Sequence, residues 1–309
     1  METRTIGTLE VSLAGLGCNN FGSRVDADGA AAVVDAALAA GVTFFDTADI
    51  YGGGRSEEFL ARALGSRRGS VVVATKFGMG DGVTLPAGAS AASVAAAAEG
   101  SLRRMGTDYI DLYQLHRPDD ATPIEETLEA MDRLVQQGKV REIGCSNFGS
   151  GRLDEAAAAA LRGGTARFAS VQDELSLLHR DEEADVVQAA GRLGISILPY
   201  FPLAAGMLTG KYRRGEPPPA GTRLANVPPH RQAQSFTERR FAIVEGLEAF
   251  AAERGHTLLE LAMCWLAGVP QLASVIAGAT RPEQVQANAA ALGWILTEAE
   301  RAEVDRITG

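Results

Sequence analysis

Four residues with side chains suited to proton transfer stand at the ends of three consecutive apolar stretches of the sequence. Asp46 ends one stretch, and Tyr51 lies five residues beyond it, directly before three glycines. Lys76 ends the next stretch and His116 the one after that. Each residue alone is typical of a strand end followed by a turn, but an acid, a phenol, an amine and an imidazole in this succession favour a catalytic site.

Together these side chains are suited to protonating an oxygen as negative charge builds on it. A free phenol has a pKa of about 10, and a Lys76 ammonium nearby would favour the phenolate of Tyr51 and lower that pKa. Asp46 would hold Lys76 charged and in place, and His116 would orient a carbonyl oxygen or help relay its proton. None of the four is redox-active, so hydride transfer here would require a cofactor.

The elements that must position these side chains alternate regularly along the chain. Eight short apolar runs predict strands, and the segments between them have helical spacing. The predicted strands are Ser12–Gly17, Val42–Asp46, Val71–Thr75, Tyr109–Leu115, Arg141–Gly144, Phe168–Val171, Ile195–Tyr200 and Gln271–Ala277, and the predicted helices are Ala27–Ala40, Ser56–Leu64, Ser90–Arg104, Pro123–Gln137, Arg152–Leu161, Glu182–Leu193, Glu238–Glu253, Leu258–Ala267, Pro282–Ala290 and Glu298–Ile307. A long loop rich in glycine and proline, Leu203 to Thr237, breaks this rhythm and is typical of a functional segment.

Strands that alternate with helices predict an α/β fold with a parallel sheet covered by helices. Eight such units without a linker between halves favour a (β/α)8 TIM barrel that occupies residues 1–309 as a single domain, with an N-terminal β-hairpin at Thr5–Val11 and extra C-terminal helices. An open Rossmann sheet is the alternative, but the first strand leads into Gly15-Leu16-Gly17-Cys18-Asn19-Asn20 and not into a dinucleotide-binding fingerprint. A barrel places its site at the C-terminal ends of the strands.

The composition argues against several classes of partner. The chain has 29 basic and 39 acidic residues, a net charge of −10, which argues against nucleic acid and anionic membranes. No apolar segment approaches the roughly 20 residues that span a bilayer, and the N-terminus lacks the apolar core of a signal peptide. The three cysteines form neither a disulfide framework nor a zinc-binding spacing. We therefore expect a cytoplasmic enzyme without a metal site that acts on a small molecule; the oligomeric state stays open.

Five stretches of the sequence resemble motifs of the aldo-keto reductase superfamily. They are Gly41–Gly52 (GVTFFDTADIYG), Ala74–Gly78 (ATKFG), Asp111–His116 (DLYQLH), Ile143–Phe148 (IGCSNF) and Leu208–Tyr212 (LTGKY). They occur in the order of the family, and the likeness, which is to a bacterial branch, runs from about Thr5 to the C-terminus. The resemblance implies a (β/α)8 barrel that reduces carbonyl groups with NADPH.

The resemblance also implies catalytic roles. Tyr51 would be the general acid for reduction, Asp46 and Lys76 would support it, and His116 would position the carbonyl. The expected reaction is NADPH-dependent reduction of an aldehyde or ketone to an alcohol, with hydride from nicotinamide C4 and the proton from Tyr51. Two alternatives stay open: a nicotinamide-binding redox sensor or regulatory subunit with the same barrel, and an isomerase or hydrolase barrel without nicotinamide.

Positions that resemble the cofactor-binding residues of the family follow the last four predicted strands. At the nicotinamide, Ser146, Asn147 and Gln172 would bind the carboxamide, and Tyr200 would stack on the ring. The remaining positions are Phe201, Leu203 and Gly206 in the loop expected to cover the pyrophosphate, and Gly278, Thr280, Arg281, Gln284 and Asn288 around the start of a helix at Pro282. An anion would be held there by the helix N-terminus and the charge of Arg281.

The sequence departs from the family pattern at three places. Gly278-Ala279 stands where many members have a Lys-Ser pair, and Gln284 where many have arginine. NADPH is the expected cofactor and NADH the lesser alternative, but these departures leave the strength of that preference open. Leu175 stands where relatives have tyrosine, which we expect to change only local packing.

The substrate is not specified by these motifs. The loops Asn19–Asp26, Phe77–Gly88 and Pro202–Arg231 are expected to line the pocket. Phe21, Phe77 and Phe148 are expected to form apolar walls.

Overall fold

The computed structural model describes residues 1–180 and 183–309, and its centre is a parallel sheet of eight strands. The strands of the chain are β1 (Thr3–Ile6), β2 (Leu9–Ser12), β3 (Ala14–Gly17), β4 (Phe44–Asp46), β5 (Val72–Phe77), β6 (Ile110–Leu115), β7 (Val140–Ser146), β8 (Ser170–Gln172), β9 (Ser196–Ile197) and β10 (Val275–Gly278). The helices are α1 (Ala27–Ala39), α2 (Arg55–Leu64), α3 (Ala91–Met105), α4 (Ile124–Gln136), α5 (Ser150–Gly163), α6 (Glu183–Leu193), α7 (Pro229–Ser235), α8 (Glu238–Ala252), α9 (Leu258–Ala267), α10 (Pro282–Ala290) and α11 (Glu298–Thr308).

The large sheet has the order β10-β3-β4-β5-β6-β7-β8-β9, and its neighbouring strands are parallel. Its two outer strands approach each other. The Ile197 amide donates to the Gln271 carbonyl oxygen at 2.8 Å, and the Ile276 amide donates to the Pro199 carbonyl oxygen at 3.2 Å. A sheet of eight parallel strands curled in this way is consistent with the predicted (β/α)8 barrel. The consecutive order of β3 to β9 does not support the Rossmann alternative, which requires a switch point.

The predicted N-terminal hairpin is confirmed as β1 and β2, which pair antiparallel. Its side chains Ile6, Leu9 and Val11 are buried and pack with Phe44 and Leu112 from the interior of the sheet. The hairpin therefore fills the end of the sheet at which the strands begin. Two larger apolar clusters lie between the sheet and the helices. The opposite end of the sheet, where the strands finish, carries the polar site.

The ends of the predicted helices that the structure describes lie within two residues of the predicted bounds. Ser90, Thr257 and Thr297 each accept a hydrogen bond from an amide in the first turn of the helix that follows, which satisfies part of the unpaired helix start. Among the described residues, no helix combines the length and the apolar character that a membrane span requires.

The structure differs from the sequence predictions mainly in the C-terminal half. Strand β9 covers only Ser196–Ile197 of the predicted Ile195–Tyr200, and the chain turns soon after it, with Phe201 at a φ of 52°. The predicted loop Leu203–Thr237 contains α7, which has proline at its first position. The predicted helix start at Glu182 lies outside the described residues.

Candidate active site

A cavity of about 680 Å³ opens where the strands of the large sheet finish. Asp46, Tyr51 and His116 line it, and Lys76 lies fully buried behind them. All the predicted cofactor-binding residues line it as well: Ser146, Asn147, Gln172, Tyr200, Phe201, Leu203, Gly206, Gly278, Thr280, Arg281, Gln284 and Asn288. The structure thus brings every predicted site residue to one place, while their individual roles stay predictions.

A buried ion pair joins the ends of β4 and β5. Lys76 Nζ donates to Asp46 Oδ2 at 2.6 Å and to the Thr47 carbonyl oxygen at 2.9 Å. The Lys76 side chain is 0% exposed and that of Asp46 is 5% exposed. Because β4 and β5 are paired in the sheet, backbone hydrogen bonds hold both residues in position. Removal of one partner would leave the other charged and buried, at a typical cost of about 3–5 kcal/mol.

Tyr51 begins a tight turn, Tyr51–Gly54, beside this ion pair. Gly52, Gly53 and Gly54 have φ values of 60°, 67° and 92°, which glycine adopts without the cost that a side chain imposes. A Cβ on Gly52 would also lie only 2.8 Å from the Phe21 carbonyl oxygen. The three glycines therefore let the loop fold back toward the strand ends. Lys76 Nζ lies 5.2 Å from the centre of the Tyr51 ring.

Burial decides the ionisation of Tyr51. Burial raises the pKa of Tyr51, the Lys76 ammonium lowers it, the Asp46 carboxylate raises it, and the net direction is upward. Lys76 therefore lowers this pKa as expected, but burial outweighs its effect in the protein without ligand, because a buried phenolate is poorly solvated. Burial also lowers the pKa of Lys76, but Asp46 and Tyr51 raise it above its ordinary value, so Lys76 stays charged.

His116 is a neutral imidazole at the edge of Tyr51. The two rings have centroids 5.8 Å apart and are nearly perpendicular. Burial lowers the pKa of His116 to about 3, and the charges of Lys76 and Arg117 add to this effect. Its Nδ1 is buried and has no hydrogen-bond partner in the part of the chain that the structure describes. A neutral imidazole can orient a carbonyl oxygen by a hydrogen bond without adding a second cation beside Lys76.

Asn147 organises the polar groups beside His116. Its Nδ2 donates to the His116 carbonyl oxygen at 2.9 Å and to Ser146 Oγ at 3.0 Å, and the Tyr200 hydroxyl donates to its Oδ1 at 2.8 Å. The Ser146 hydroxyl donates in turn to the Gln172 carbonyl oxygen at 2.7 Å. The donor hydrogens of Ser146 and Asn147 are therefore used within the protein, which sequence reasoning did not foresee.

Gln172 reaches the carboxylate of Asp46. Its Nε2 donates to Asp46 Oδ1 at 2.9 Å, and Nε2 of Gln114 donates to the same oxygen at 3.4 Å. Sequence reasoning assigned Gln172 to the nicotinamide alone and missed Gln114. The signal for Gln114 was present, since it is a polar residue inside an otherwise buried strand, two residues before His116.

Four cations surround the other end of the cavity, and three of them were not predicted as site residues. They are Arg24, Lys211, Arg223 and the predicted Arg281. None of them forms an ion pair with a carboxylate among the described residues. Burial lowers the pKa of Lys211, and Arg24 and Arg281 lower it further. Burial and then Arg24 lower the pKa of Arg223. This mutual repulsion is relieved when an anion binds.

Gln284 caps α10. Its Oε1 accepts from the Thr280 amide at 2.8 Å, from Thr280 Oγ1 at 3.1 Å and from the Arg281 amide at 3.2 Å. The residue that replaces the arginine of many family members therefore holds the turn that carries Arg281. Asn288 lies one turn further along the helix and is 9% exposed.

The apolar walls were predicted wrongly. Phe21, Phe77 and Phe148 are buried in the cluster between the sheet and the helices, and they do not line the cavity. Phe77 ends β5, whereas Phe21 and Phe148 lie in the loops after β3 and β7, and the sequence alone did not reveal that all three pack into this cluster. Met79, from the loop after β5, lines the cavity instead.

A second buried acid lies between Asp46 and Tyr51. Asp49 has no exposed surface, and its amide donates to the Lys76 carbonyl oxygen at 3.1 Å. Burial raises the pKa of Asp49 to about 7, and the neighbouring charge of Glu57 adds to this rise. Across residues 1–180 and 183–309, no cation forms an ion pair with Asp49. Sequence reasoning missed this residue because nothing in its local pattern indicates burial.

The residues of the cavity fit a nicotinamide dinucleotide. At one end Gln172 uses its amide nitrogen for Asp46, so its side-chain oxygen is available to a ligand amide. At the other end Lys211 and Arg281 offer charge to phosphates without competition from carboxylates. The phenol of Tyr51 lines the same end as Gln172.

Comparisons with known proteins agree with this description. The model of the Aldo/keto reductase family matches residues 14–308. A probable voltage-gated potassium channel subunit beta from Oryza sativa subsp. japonica is 36% identical over 280 residues, covering 89% of this chain and 85% of the relative. The aldo-keto reductase YhdN of Bacillus subtilis (strain 168) is 34% identical over 307 residues, covering 97% and 90%. The structure of the glycerol dehydrogenase AKR11B4 from Gluconobacter oxydans superposes with a TM-score of 0.84 and 32% identity, covering 99% of this chain and 94% of that one.

Proposed function

The chain belongs to the aldo/keto reductase family, and we propose that it reduces the carbonyl group of a small aldehyde or ketone to an alcohol with NADPH. The observation that carries this proposal is the buried Asp46–Lys76 pair with the phenol of Tyr51 beside it. NADPH, when bound, supplies a hydride to the carbonyl carbon. The residues of the chain must then deliver one proton to the carbonyl oxygen.

Tyr51 is the group we propose for this proton transfer. Its phenol is neutral before the reaction, so it carries the proton that the oxygen needs. As the proton leaves, the Lys76 ammonium stabilises the phenolate, and Asp46 keeps Lys76 in place. His116 orients the carbonyl oxygen toward Tyr51, and solvent later returns a proton to the phenolate.

The cations at the other end of the cavity support NADPH over NADH. A phosphate monoester carries about −1.5 to −2 charge near neutral pH, and NADPH has one such group, the 2′-phosphate, which NADH lacks. Lys211 would lie at the pyrophosphate and Arg281 at the 2′-phosphate, and Arg24 and Arg223 add positive charge. The absence of the Lys-Ser pair at Gly278-Ala279 is thereby compensated.

The proposal also covers the compartment and the domain organisation of the enzyme. We propose that residues 1–309 act as a single-domain (β/α)8 barrel in the cytoplasm. Cys18, Cys145 and Cys264 are all free and buried, which supports a reducing compartment.

A regulatory subunit is the second candidate function. Relatives from Oryza sativa and Arabidopsis thaliana bear the name of probable potassium channel beta subunits, at 36% and 33% identity. Such a protein would bind the dinucleotide and report its redox state, with little turnover. The intact arrangement of Asp46, Tyr51, Lys76 and His116 favours the enzyme.

The test combines NADPH binding with turnover. We expect NADPH fluorescence to report binding and its ultraviolet absorbance to fall when a panel of aldehydes and ketones is added. Tyr51→Phe should slow turnover by about 10²–10⁴-fold and leave binding intact, because only the proton donor is lost. Tyr109→Phe, outside the cavity, is the control and should behave as wild type.

Each contrary result has one meaning. A normal rate in Tyr51→Phe would overturn the proton donor. Binding without turnover of any carbonyl in the panel would favour the regulatory subunit. A wild-type protein that binds neither NADPH nor NADH would overturn the proposed cofactor.

A further inference from the structure

Two glutamine side chains from separate strands converge on one oxygen of Asp46. Gln172 on β8 donates at 2.9 Å and Gln114 on β6 donates at 3.4 Å, both to Oδ1. The strand between them, β7, has Gly144 at this level. A Cβ there would lie 2.5 Å from Ser170 Oγ and 3.2 Å from Gln114 Cγ, so glycine leaves the space that Gln114 occupies.

The donor direction of these bonds is determined by chemistry. Asp46 is the ion-pair partner of Lys76, and an ionised carboxylate only accepts hydrogen bonds. Gln172 must therefore turn its amide nitrogen to Asp46, and its side-chain oxygen lies on the other arm of the amide. Gln172 lines the cavity, whereas Gln114 is fully buried and does not.

The polar side chains beside Gln172 already use their donor hydrogens within the protein. Ser146 uses its hydroxyl hydrogen on the Gln172 carbonyl oxygen, and Asn147 uses its amide hydrogens on the His116 carbonyl oxygen and on Ser146. The Asn147 side-chain oxygen already receives the Tyr200 hydroxyl. A ligand amide that donates hydrogen bonds therefore finds, in the Gln172 side-chain oxygen, an acceptor that receives no hydrogen bond from the described residues.

We propose that Gln172 is a positioning residue that joins the cofactor to the proton donor: its nitrogen holds Asp46 in place while its oxygen receives the carboxamide of the nicotinamide. This inference rests on the proposed function. The hydrogen bond to Asp46 uses the nitrogen of the Gln172 amide, and the hydrogen bond to the carboxamide uses its oxygen. A bound carboxamide therefore orders the Gln172 side chain and strengthens its hydrogen bond to Asp46. Asp46 orients Lys76, and Lys76 lies beside Tyr51.

Loss of the Gln172 amide should change the proton donor through Asp46. An Asp46 that lacks this donor concentrates more negative charge on Oδ1, and Asp46 already raises the pKa of Tyr51. We therefore expect that pKa to rise further. The other charged or titratable groups that face Tyr51 are Lys76 from β5, Cys18 after β3, His116 after β6 and Arg223 from the covering loop, and all remain in the variant.

The experiment uses Gln172→Leu, which keeps the approximate size of the side chain and removes both amide atoms. We expect NADPH to bind about tenfold more weakly, by fluorescence titration, since one hydrogen bond contributes about 1.4 kcal/mol. We expect the alkaline limb of the pH profile for carbonyl reduction to move upward by about 0.5 to 1 unit. Both changes in one variant are the signature of the joining role.

Two matched variants separate the two contacts. Gln114→Leu touches Asp46 but not the cavity, so it should move the alkaline limb slightly and leave NADPH affinity unchanged. Gln172→Glu keeps the size of the residue and turns an acceptor toward Asp46, so it should move the limb further than Gln172→Leu. It also keeps the test open if Gln172→Leu does not fold.

The outcomes that overturn the inference differ from those that overturn the proposed function. Weaker NADPH binding with a wild-type pH profile in both Gln172 variants would make Gln172 a cofactor contact only. A shifted profile with unchanged NADPH affinity would make it a structural support of Asp46 only. Failure of the wild-type protein to bind NADPH, measured first, concerns the proposed function instead.

Discussion

The charged residues at the floor of the cavity are paired within the protein, whereas those at its rim are not paired with carboxylates among the described residues. The floor consists of Asp46, Lys76, Gln114 and Gln172, and its charges find partners inside the protein. The rim consists of Arg24, Lys211, Arg223 and Arg281, whose charges find no carboxylate among the described residues. The charges of the floor are therefore balanced before a ligand binds, whereas those of the rim would be balanced only by a bound anion.

The position of each set in the fold explains this difference. The floor lies on strands β4, β5, β6 and β8, which are fixed by the backbone hydrogen bonds of the sheet. The rim lies on loops and on the start of α10, and one of its few internal ties is the bond from Arg24 to the Gly221 carbonyl oxygen at 3.4 Å. Catalysis needs groups held in advance, and binding of a large anion needs groups that can close on it.

The largest effect is expected from breaking the floor. Lys76→Met should slow carbonyl reduction by about 10²–10⁴-fold, because nothing then stabilises the Tyr51 phenolate. It should also destabilise the protein by about 3–5 kcal/mol in urea unfolding, because Asp46 is left charged and buried.

The control for this change is an exposed ion pair. Lys139 is bonded to Glu99 at the surface, so Lys139→Met should cost less than about 1 kcal/mol and leave turnover unchanged. The double variant Asp46→Asn with Lys76→Met should regain part of the stability but none of the activity. Equal losses in the two lysine variants would contradict the distinction between a buried floor and a solvated surface.

The parts of the site that follow from the sequence are those at regular strand ends. Asp46, Lys76 and His116 were recognisable because each interrupts an apolar run, and strand ends in a parallel barrel meet at one edge. Arg24 and Arg223 were not recognised as site residues, because they lie in irregular loops without a periodic pattern. The fold followed in the same way: the order of strands was predictable, but the length of β9 was not.

Ionisation is a further property that the sequence does not contain. The sequence shows that Lys76 and Tyr51 come close, and it thereby predicts a lowered pKa for the phenol. It does not show how far Tyr51 is buried, and burial makes the net shift of its pKa upward. Burial also raises the pKa of Asp49, and no pattern near this residue indicates that it is buried.

Asp49 lies beside the floor of the cavity but, unlike Asp46, forms no ion pair among the described residues, and its burial can be tested through the pH dependence of stability. Its folded pKa is raised from 3.8 to about 7, so the folded protein holds this proton more tightly than the unfolded chain does. Stability is therefore lost as pH rises from about 4 to about 7, and the loss persists above that range. A shift of about 3 units corresponds to about 4 kcal/mol. Asp49→Asn should remove most of this loss.

The measurement is urea unfolding at several pH values. The stability gain of Asp49→Asn should be small near pH 4, grow to at most about 4 kcal/mol near pH 8, and change little beyond. Asp35→Asn is the matched control, because Asp35 is exposed at the surface, and its effect should be small at every pH. A gain that is independent of pH would show that Asp49 is not held in its protonated form.

The smallest effects are expected at the rim, where each cation is one of several. Arg281→Gln should weaken NADPH binding about tenfold, or about 1.4 kcal/mol, and leave NADH binding nearly unchanged, because only NADPH brings a 2′-phosphate. Lys211→Gln should weaken both cofactors to a similar degree, because both carry the pyrophosphate. Arg213→Gln, on the same loop but paired with Glu248, should not change the affinity for either cofactor.

Fluorescence titration at two salt concentrations should also show a shallower salt dependence of binding in Arg281→Gln and Lys211→Gln, since fewer protein charges then interact with the ligand. An equal loss of affinity for NADPH and NADH in Arg281→Gln would show that Arg281 contacts the pyrophosphate. The 2′-phosphate would then have no cation at the start of α10.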